Sequence, residues 1–300
     1  MAEPVEVTET EWFFICLATF DKSVEVSNMK HFPTIGNLLE FYYFWEPKMI
    51  SMKLNKIAII GGSGLEKLNL FDSSEMIHPQ TPYGECSAPV IHGKIGDKEV
   101  FIFSRHGFKH EITPTHVNNR AHIRAIKDLD CDAIIATTAC GSLREEIKPG
   151  HLVFPNQVID FTRFRANTFF DDFSDGGFHH TPFADPFNQE LNEILAHLAE
   201  ENQLVYHRDK TIITIEGPRF SSRAESHMFR AWGADLINMS TAPEVILANE
   251  LEIPYAAIAM STDYDCWKED LEPVNGNSVL EVFHKNAQNV TDLLKVFLSK

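Results

Sequence analysis

Six apolar runs in this chain each end abruptly in a small polar cluster. The runs are rich in β-branched residues and cover residues 56–60, 100–103, 133–136, 211–215, 236–239 and 256–260. The clusters that follow them are residues 61–64, 104–107, 137–142, 216–222, 240–241 and 261–265. Short apolar runs bounded by glycine and polar residues are typical of buried β-strands. Because open α/β sheets bind ligands beyond their strand ends, the six clusters are candidate parts of one binding site.

Helical patterns alternate with these strands, which predicts an α/β fold. We predict helices over residues 116–129, 187–203, 222–232, 243–250 and 278–298, and a long glycine- and histidine-rich loop over 171–182. No linker-like composition follows residue 52, so residues 52–300 are expected to form one domain. Residues 1–51 carry aromatic bursts without a regular period, and we expect them to be an N-terminal extension. A helix packed on the outside of the domain is the alternative for this segment.

The composition excludes several classes of protein. The formal net charge of -17 leaves no basic face for a nucleic-acid backbone. No apolar stretch reaches the ~18–20 residues of a membrane span. The residues before the apolar segment 12–18 are acidic, whereas those of a signal peptide are basic. The five cysteines show no C-x-x-C spacing, which favours a reduced, cytoplasmic protein, with the nucleus as a further location.

Two of the polar clusters contain groups that suit a small anion. The loop 61–64 offers backbone N–H groups and the Ser63 hydroxyl, but it completes neither a dinucleotide-binding nor a Walker pattern. Arg105 can contact phosphate oxygens through two N–H groups, and His106 can add a donor. Further hydroxyls follow at other strand ends (Thr138, Ser240 and Thr241). The alternatives are a purely structural turn and an ordinary salt-bridged surface arginine. Because the chain is so acidic, an anion has to be held by such local groups.

Asp263 and Asp265 form the sharpest cluster. At strand spacing the two carboxylates project to the same side, and two close carboxylates cannot both ionise easily. We therefore expect one of the two pKa values to be raised well above its ordinary value. A protonated carboxyl can donate to a ring nitrogen while its neighbour accepts from an exocyclic amine, which suits adenine. A metal site and a helix N-cap pair are the alternatives.

The ordered motifs resemble those of the trimeric purine nucleoside phosphorylases, and among them the members that act on 5′-methylthioadenosine. The matching segments are residues 61–64, 105–107, 137–144, 216–220, 238–244 and 261–265. The resemblance runs from about residue 56 to near the C-terminus. It implies a twisted mixed central sheet flanked by helices in a single nucleoside-phosphorylase-like domain, assembled as a homotrimer.

The resemblance also implies a role for each matching residue. The residues implied to bind phosphate are Ser63, Arg105, His106, Thr138, Ala139 and Ser240. Those implied to bind the nucleoside are Phe220, Ser221, Met239, Asp263, Asp265, Gly276, Val279 and His180. In this assignment Met239 lies under the ribose and Phe220 against the base. Asp263 protonates the purine N7, and Asp265 accepts from the N6 amine.

The implied reaction is phosphorolysis of 5′-methylthioadenosine to adenine and 5-methylthioribose 1-phosphate. Phosphate would be the co-substrate, and neither a metal nor an organic cofactor is needed. The aspartate at position 263 favours 6-aminopurines, because relatives that act on 6-oxopurines have asparagine there. The alternatives are a broader adenosine or purine nucleoside phosphorylase, a hydrolytic nucleosidase and a non-catalytic purine-binding protein. The incomplete glycine pattern argues against an NAD-dependent dehydrogenase.

The chain departs from the family pattern at a few positions. Ser63 and Ser240 stand where threonine is common, and both keep the hydroxyl. Gly276 stands where an apolar side chain usually lines the 5′-methylthio pocket, so the 5′-hydroxyl of adenosine could also fit. His180 matches a position that reaches the neighbouring subunit's site, and a solvated loop histidine is the alternative.

Overall fold

The computed structural model describes residues 52–61, 70–71, 73–174, 176–270 and 276–300, with residues 276–286 described as helix backbone. The strands in these ranges are β1 Lys56–Gly61, β2 Ser74–Ile77, β3 Gln80–Thr81, β4 Gly84–Glu85, β5 Val90–Ile95, β6 Lys98–Ser104, β7 Ala133–Ser142, β8 Leu152–Phe161, β9 Tyr206–Ile215, β10 Leu236–Asn238 and β11 Tyr255–Asp263. The helices are α1 Asn119–Asp128, α2 Gln189–Glu201, α3 Arg223–Ala231, α4 Thr241–Glu250 and α5 Gly276–Ser299, and a short 3₁₀ helix covers Pro114–His116. Met52–Lys300 form one compact unit. The expected extension over residues 1–51 lies outside the described residues.

Nine strands form one mixed sheet in the order β10-β9-β8-β11-β7-β1-β6-β5-β2. The strands β1, β6, β7 and β11 run parallel, whereas β5 pairs antiparallel with β6 and β8 antiparallel with β11. The strand β10 pairs with β9 on one side and with β7 on the other, so β7, β11, β8, β9 and β10 close on themselves. The predicted mixed, twisted sheet is confirmed, and its curled half forms a small barrel.

Helices cover both faces of the sheet. Along β1 the side chains alternate: Ile57 and Ile59 pack under α2 and α5, whereas Ala58 and Ile60 pack under α1 and α4. A strand buried on both faces has no polar side to alternate with, which is why the predicted strands read as continuous apolar runs. The predicted apolar stripe of the last helix lies in this core where its side chains are described (Val290, Leu293, Leu294 and Phe297).

The six predicted strands are all present, but the strand ends were predicted wrongly. The strand β7 continues to Ser142 and β11 continues to Asp263, so part of each polar cluster is strand and not loop. The reason is that pairing continues there: Ser261 lies opposite Cys140, and Ile237 of β10 lies opposite Gly141. The clusters therefore lie inside the curled half of the sheet.

The strand β8 was not predicted. Pro155 interrupts its apolar pattern, and proline in a run argues against a central strand. The ladder between β8 and β9 accommodates Pro155 through irregularities in register on both sides of it. The predicted helices are confirmed within a few residues at each end, and the described part of the loop 171–182 contains neither helix nor strand. No helix in the described ranges is both long and apolar enough to cross a membrane.

Candidate active site

Hydroxyl groups from three strand ends meet around the side chain of Asn238. Its Nδ2 donates to Thr138 Oγ1 at 3.1 Å and to Thr241 Oγ1 at 2.6 Å, and its Oδ1 accepts from the Thr214 hydroxyl at 2.8 Å. The Thr138 and Ser240 hydroxyls lie 3.1 Å apart. These buried contacts place two predicted phosphate-binding side chains together.

The first turn of α4 begins at the same point. Ser240 is the N-cap residue, yet its side chain makes no capping hydrogen bond to the helix. The helix dipole favours negative charge at a helix start. In α4 the Ala242 N–H already donates to the Thr214 hydroxyl at 3.0 Å and Pro243 has no N–H, so fewer backbone donors are free than in an ordinary first turn. The hydroxyls and the helix start together form an arrangement suited to a tetrahedral anion.

Arg105 is buried beside this cluster. Its Nε and Nη2 both donate to the Glu244 carboxylate, and its Nη1 donates to the Thr137 carbonyl at 3.0 Å. Glu244 is fully buried and also accepts from the Tyr255 hydroxyl at 2.8 Å. Burial alone would lower the pKa of Arg105, but the contacts with Glu244 raise it above its ordinary value. Arg105 is therefore salt-bridged, as one alternative had it, although it is not at the surface.

His106 follows Arg105 at the end of β6. Its Nδ1 lies 2.9 Å from the Ile112 carbonyl oxygen. Burial, followed by the charge of Arg105, lowers the pKa of His106 to about 4. The imidazole is therefore neutral at neutral pH.

Asp263 ends β11 opposite Gly141 of β7. Its Oδ1 accepts from the backbone N–H of Asp265 at 2.7 Å, and its Oδ2 accepts from the Thr262 hydroxyl at 2.8 Å. A Cβ atom on residue 141 would lie 3.0 Å from Asp263 Oδ1, so a glycine lets the carboxyl approach β7 closely. Burial raises the pKa of Asp263 from 3.8 to about 6, and the charge of Asp265 adds less than burial does. The predicted direction is confirmed, but desolvation is the main cause and not the neighbouring carboxylate.

Asp265 is buried just beyond the strand, with a positive φ of 50°. Its Oδ1 and Oδ2 accept from the Ser221 hydroxyl at 2.8 and 2.7 Å. The fully buried Ser226 on α3 donates to Oδ2 at 2.5 Å. These hydroxyls hold the Asp265 carboxylate in one orientation at the edge of the site.

Met239 packs against the backbone of Gly217, which has a φ of +69°. A Cβ atom on residue 217 would come within 2.5 Å of the Met239 sulfur, so a side chain there would displace the methionine. Arg165 donates to the Met239 carbonyl at 2.7 Å and to the Glu216 carbonyl at 2.6 Å. Its buried charge is paired with the Glu216 carboxylate at 3.1 Å.

Thr138 of the anion cluster and Asp263 lie on two neighbouring strands, β7 and β11. Thr138 is three residues before Gly141 on β7, and Gly141 is opposite Asp263. At 3.2–3.4 Å per residue the separation along the strand is about 10 Å. That length suits a nucleoside with phosphate at one end and the base at the other.

The remaining predicted residues are placed as follows. Ala139 follows Thr138 on β7, and Phe220 is exposed beside Ser221. His180 is exposed and lines a separate cavity of 780 Å³ with Pro186 and Tyr255, so it is not brought to the site of its own chain. Ser63 and the side chain of Val279 lie outside the described residues, and Gly276 is described only as the start of α5.

Sequence reasoning missed the residues that hold the site residues in place. Glu244 was assigned no role in the site, and its main partner is Arg105. Ser226, Arg165 and Asn238 were not singled out. No local sequence pattern identifies these residues, because each makes hydrogen bonds to a residue far away in the sequence. In the described ranges no group of three or more His, Cys, Asp or Glu side chains could hold a metal ion.

Comparison with known proteins gives consistent results. Residues 56–299 match the model of the phosphorylase superfamily. The S-methyl-5′-thioadenosine phosphorylase of Ciona intestinalis is 48% identical over 247 residues, which cover 82% of this chain and 87% of that protein.

Solved structures that are similar to this chain are also phosphorylases. The methylthioadenosine phosphorylase of Schistosoma mansoni in complex with adenine has a TM-score of 0.78 at 39% identity, over 82% of this chain and 91% of that one. A single-site mutant of an adenosine/methylthioadenosine phosphorylase from the same organism, in complex with methylthioadenosine, has a TM-score of 0.77 at 38% identity, with 82% and 91% covered.

Proposed function

Because this chain belongs to the phosphorylase superfamily, we propose that it cleaves 5′-methylthioadenosine with inorganic phosphate. The products are adenine and 5-methylthioribose 1-phosphate. The reaction makes the protein a pentosyltransferase of purine and methionine salvage. The similarity to S-methyl-5′-thioadenosine phosphorylases over most of the chain supports this substrate.

The observation that carries the proposal is a protonatable carboxyl on β11 beside an anion cluster whose Thr138 lies on the paired strand β7. Breaking the N-glycosidic bond places positive charge on the sugar and negative charge on the purine. Phosphate held near Thr138 and Ser240 stabilises the sugar cation. Asp263, whose pKa is raised to about 6, gives a proton to N7 of the departing base. Proton transfer of this kind contributes roughly 10²–10⁴ in rate.

The other site residues have supporting roles in this proposal. Asp265 accepts from the N6 amine, with its orientation held by Ser221 and Ser226. Met239 forms the floor beneath the ribose, and the exposed Phe220 ring covers the base. Phosphate binding by Ser63 and Ala139 and nucleoside binding by Gly276 and Val279 rest on the sequence resemblance.

Four further properties belong to the proposal. The enzyme needs no metal or organic cofactor, since the described donors suffice for the proton transfer and the anion. It works as a homotrimer in which His180 completes a neighbouring site, in line with its exposed position away from its own site. It is located in the cytoplasm and the nucleus. Residues 1–51 are an extension that the reaction does not need.

Adenosine is a second candidate substrate. One of the similar solved structures is named an adenosine/methylthioadenosine phosphorylase, and Gly276 removes bulk where the family has an apolar side chain. A smaller side chain leaves room for a hydrated 5′-hydroxyl.

A substrate panel tests the proposal. Methylthioadenosine, adenosine and inosine are incubated with the full chain, with and without phosphate, and base release is measured. We expect adenine from methylthioadenosine only when phosphate is present, and little hypoxanthine from inosine. Base release without phosphate would indicate a hydrolase. Purine binding without turnover would indicate a non-catalytic binding protein.

A further inference from the structure

Residues 264–268 follow β11 and carry Asp265 beyond the sheet. Pairing of β11 with its described neighbours ends at Asp263, so other contacts have to fix the backbone after it. Asp265 has a φ of 50°, a left-handed conformation that is uncommon for a residue other than glycine. Such a conformation persists where the surroundings hold the chain in place. On the N-terminal side the Asp265 N–H donates to Asp263 Oδ1 at 2.7 Å, and a second contact is needed on the C-terminal side.

Trp267 makes this second contact. It is 9% exposed, and its ring packs in an apolar cluster with Leu143 and Phe229 in the curled half of the sheet. The indole N–H donates to the Ser142 carbonyl oxygen at the end of β7, at 2.8 Å. Because the indole has one donor and no acceptor, this bond defines the orientation of the ring. Trp267 therefore fixes residues 264–268 to the end of the strand that pairs with β11.

Arg230 of α3 stacks on the indole. Its guanidinium carbon lies 3.5 Å from the centre of the Trp267 ring, and its Nη1 donates to the Leu143 carbonyl at 2.8 Å. A guanidinium over an aromatic face is attracted by the ring electrons. Ser226 lies four residues earlier on α3, hence on the same face of the helix, and it donates to Asp265 Oδ2. The helix α3 thus holds this segment at two points, the carboxylate and the indole.

We propose that Trp267 is a positioning residue for Asp265 and that it thereby sets the preference of the site for purines with a 6-amino group. Ser221 and Ser226 bind the carboxylate oxygens, whereas the indole fixes the backbone that carries the carboxylate. When this anchor is weakened, Asp265 moves away from the 6-amino group. Asp263 stays in place, because its strand remains paired with β7.

This inference rests on the proposed function, which assigns the N6 amine to Asp265, and it adds the residue that makes the contact selective. Its consequence is specific. Loss of the anchor weakens recognition of the 6-amino group and leaves the contact at N7 nearly unchanged. A purely structural role for Trp267 would weaken the binding of all purines alike.

Equilibrium binding of free bases to the full chain tests the inference. Adenine and unsubstituted purine, which has no 6-amino group, are titrated calorimetrically at neutral pH. We expect the wild type to bind adenine about ten- to hundredfold more tightly than purine, which is the usual contribution of a hydrogen bond to a charged group. The ratio of the two affinities is the readout, since it does not depend on turnover.

Two variants and a matched control measure the role of the anchor. Trp267→Phe keeps an aromatic ring and removes the N–H that bonds to Ser142; the adenine preference should fall by about tenfold, because small displacements of a binding group are costly. Arg230→Met keeps a long apolar chain over the ring but removes the charge and the bond to Leu143, and it should lower the preference in the same direction. Trp232→Phe changes an exposed tryptophan at the end of α3 and should keep the wild-type ratio.

An unchanged ratio in Trp267→Phe would overturn the inference, as would an equal loss of affinity for both bases or a wild type without adenine preference. If Trp267→Phe does not fold, Arg230→Met decides by the same criterion. A separate assay of phosphate-dependent adenine release tests the proposed function. Turnover with an unchanged ratio refutes the role of Trp267 alone. An adenine preference that Trp267→Phe loses, in a protein without turnover, refutes the proposed reaction alone.

Discussion

Replacing Glu244 with glutamine should destabilise the protein and change how it responds to phosphate. Glutamine keeps the shape of the side chain but removes the charge that balances Arg105. In the wild type both carboxylate oxygens accept from the guanidinium, and one also accepts from the Tyr255 hydroxyl. In E244Q the glutamine Oε1 can accept one of these bonds, whereas its NH2 group, a donor, opposes the other; the bond to the Thr137 carbonyl is unchanged.

The expected magnitude follows from the burial of both partners. The Arg105 side chain is 3% exposed and that of Glu244 is 0% exposed, so water cannot replace the lost partner. Breaking such a buried pair by removing one charge typically destabilises by about 3–5 kcal/mol. For a domain of this size that corresponds to a Tm lower by roughly 6–20 °C.

The assay is thermal unfolding of E244Q and wild type with and without saturating phosphate. Because the uncompensated guanidinium attracts a dianion, phosphate should raise the Tm of E244Q more than that of the wild type. Asp128→Asn is the control, since it breaks the exposed pair between Arg124 and Asp128, and it should leave the Tm almost unchanged. A loss below about 1 kcal/mol in E244Q, or equal phosphate shifts in both proteins, would refute the reasoning.

Three further outcomes are expected. Ser226→Ala removes a buried donor to Asp265; it should lower kcat/KM by about ten- to hundredfold and destabilise the fold by about 1.5–3 kcal/mol, and unchanged kinetics would show that Asp265 needs no such support. Because the folded-state pKa of Asp263 is raised to about 6, its stabilising contribution is complete below pH 3.8 and is lost as pH rises through 6. Asp263→Asn should thus gain about 2–3 kcal/mol in unfolding free energy relative to wild type between pH 4 and pH 8, while its base preference shifts toward inosine; parallel pH–stability curves would contradict the burial of this carboxyl. Arg165→Lys keeps the charge but cannot reproduce the bonds to both the Met239 and Glu216 carbonyls, so steady-state kinetics should show a higher KM for the nucleoside and a nearly normal KM for phosphate; equal changes in both would show a general loss of structure.

The sequence allowed most of the fold to be predicted because the sheet is buried on both faces. Strands such as β1 are uniformly apolar, and the helices between them carry a clear stripe. The prediction failed for a strand that is not apolar along its whole length. The strand β8 contains Pro155 and a half-buried, polar second half, so it lacks the apolar signal, and only the paired neighbours β9 and β11 make it a strand.

The strand ends were misplaced for a related reason. Thr138 and Asp263 are polar, and polar residues after an apolar run suggest a loop. They continue the strands because β7 and β11 stay paired with each other through these residues, and β10 closes the curled half of the sheet against the end of β7. Both pairings join residues about 100 positions apart in the sequence. The pattern of apolar and polar residues does not show which distant strands pair in this way. It does show which residues gather at one end of the sheet, since parallel neighbours place their carboxyl ends together.

The type of chemical group at each site position could be predicted from the sequence, but the pairing of charges between these groups could not. From the sequence Arg105 is a free cation and His106 a donor, and together they would hold an anion against the acidic chain. In the structure the Glu244 carboxylate balances the charge of Arg105, and the Ile112 carbonyl lies within hydrogen-bond distance of the His106 Nδ1. An anion would then be bound by hydroxyls and by the remaining N–H groups of Arg105, whose charge is already paired. Hydrogen bonds of this kind depend on direction and on protons more than on net charge. The proposed phosphate site of a protein with a formal charge of -17 therefore depends on local hydrogen-bond donors and not on a net positive charge.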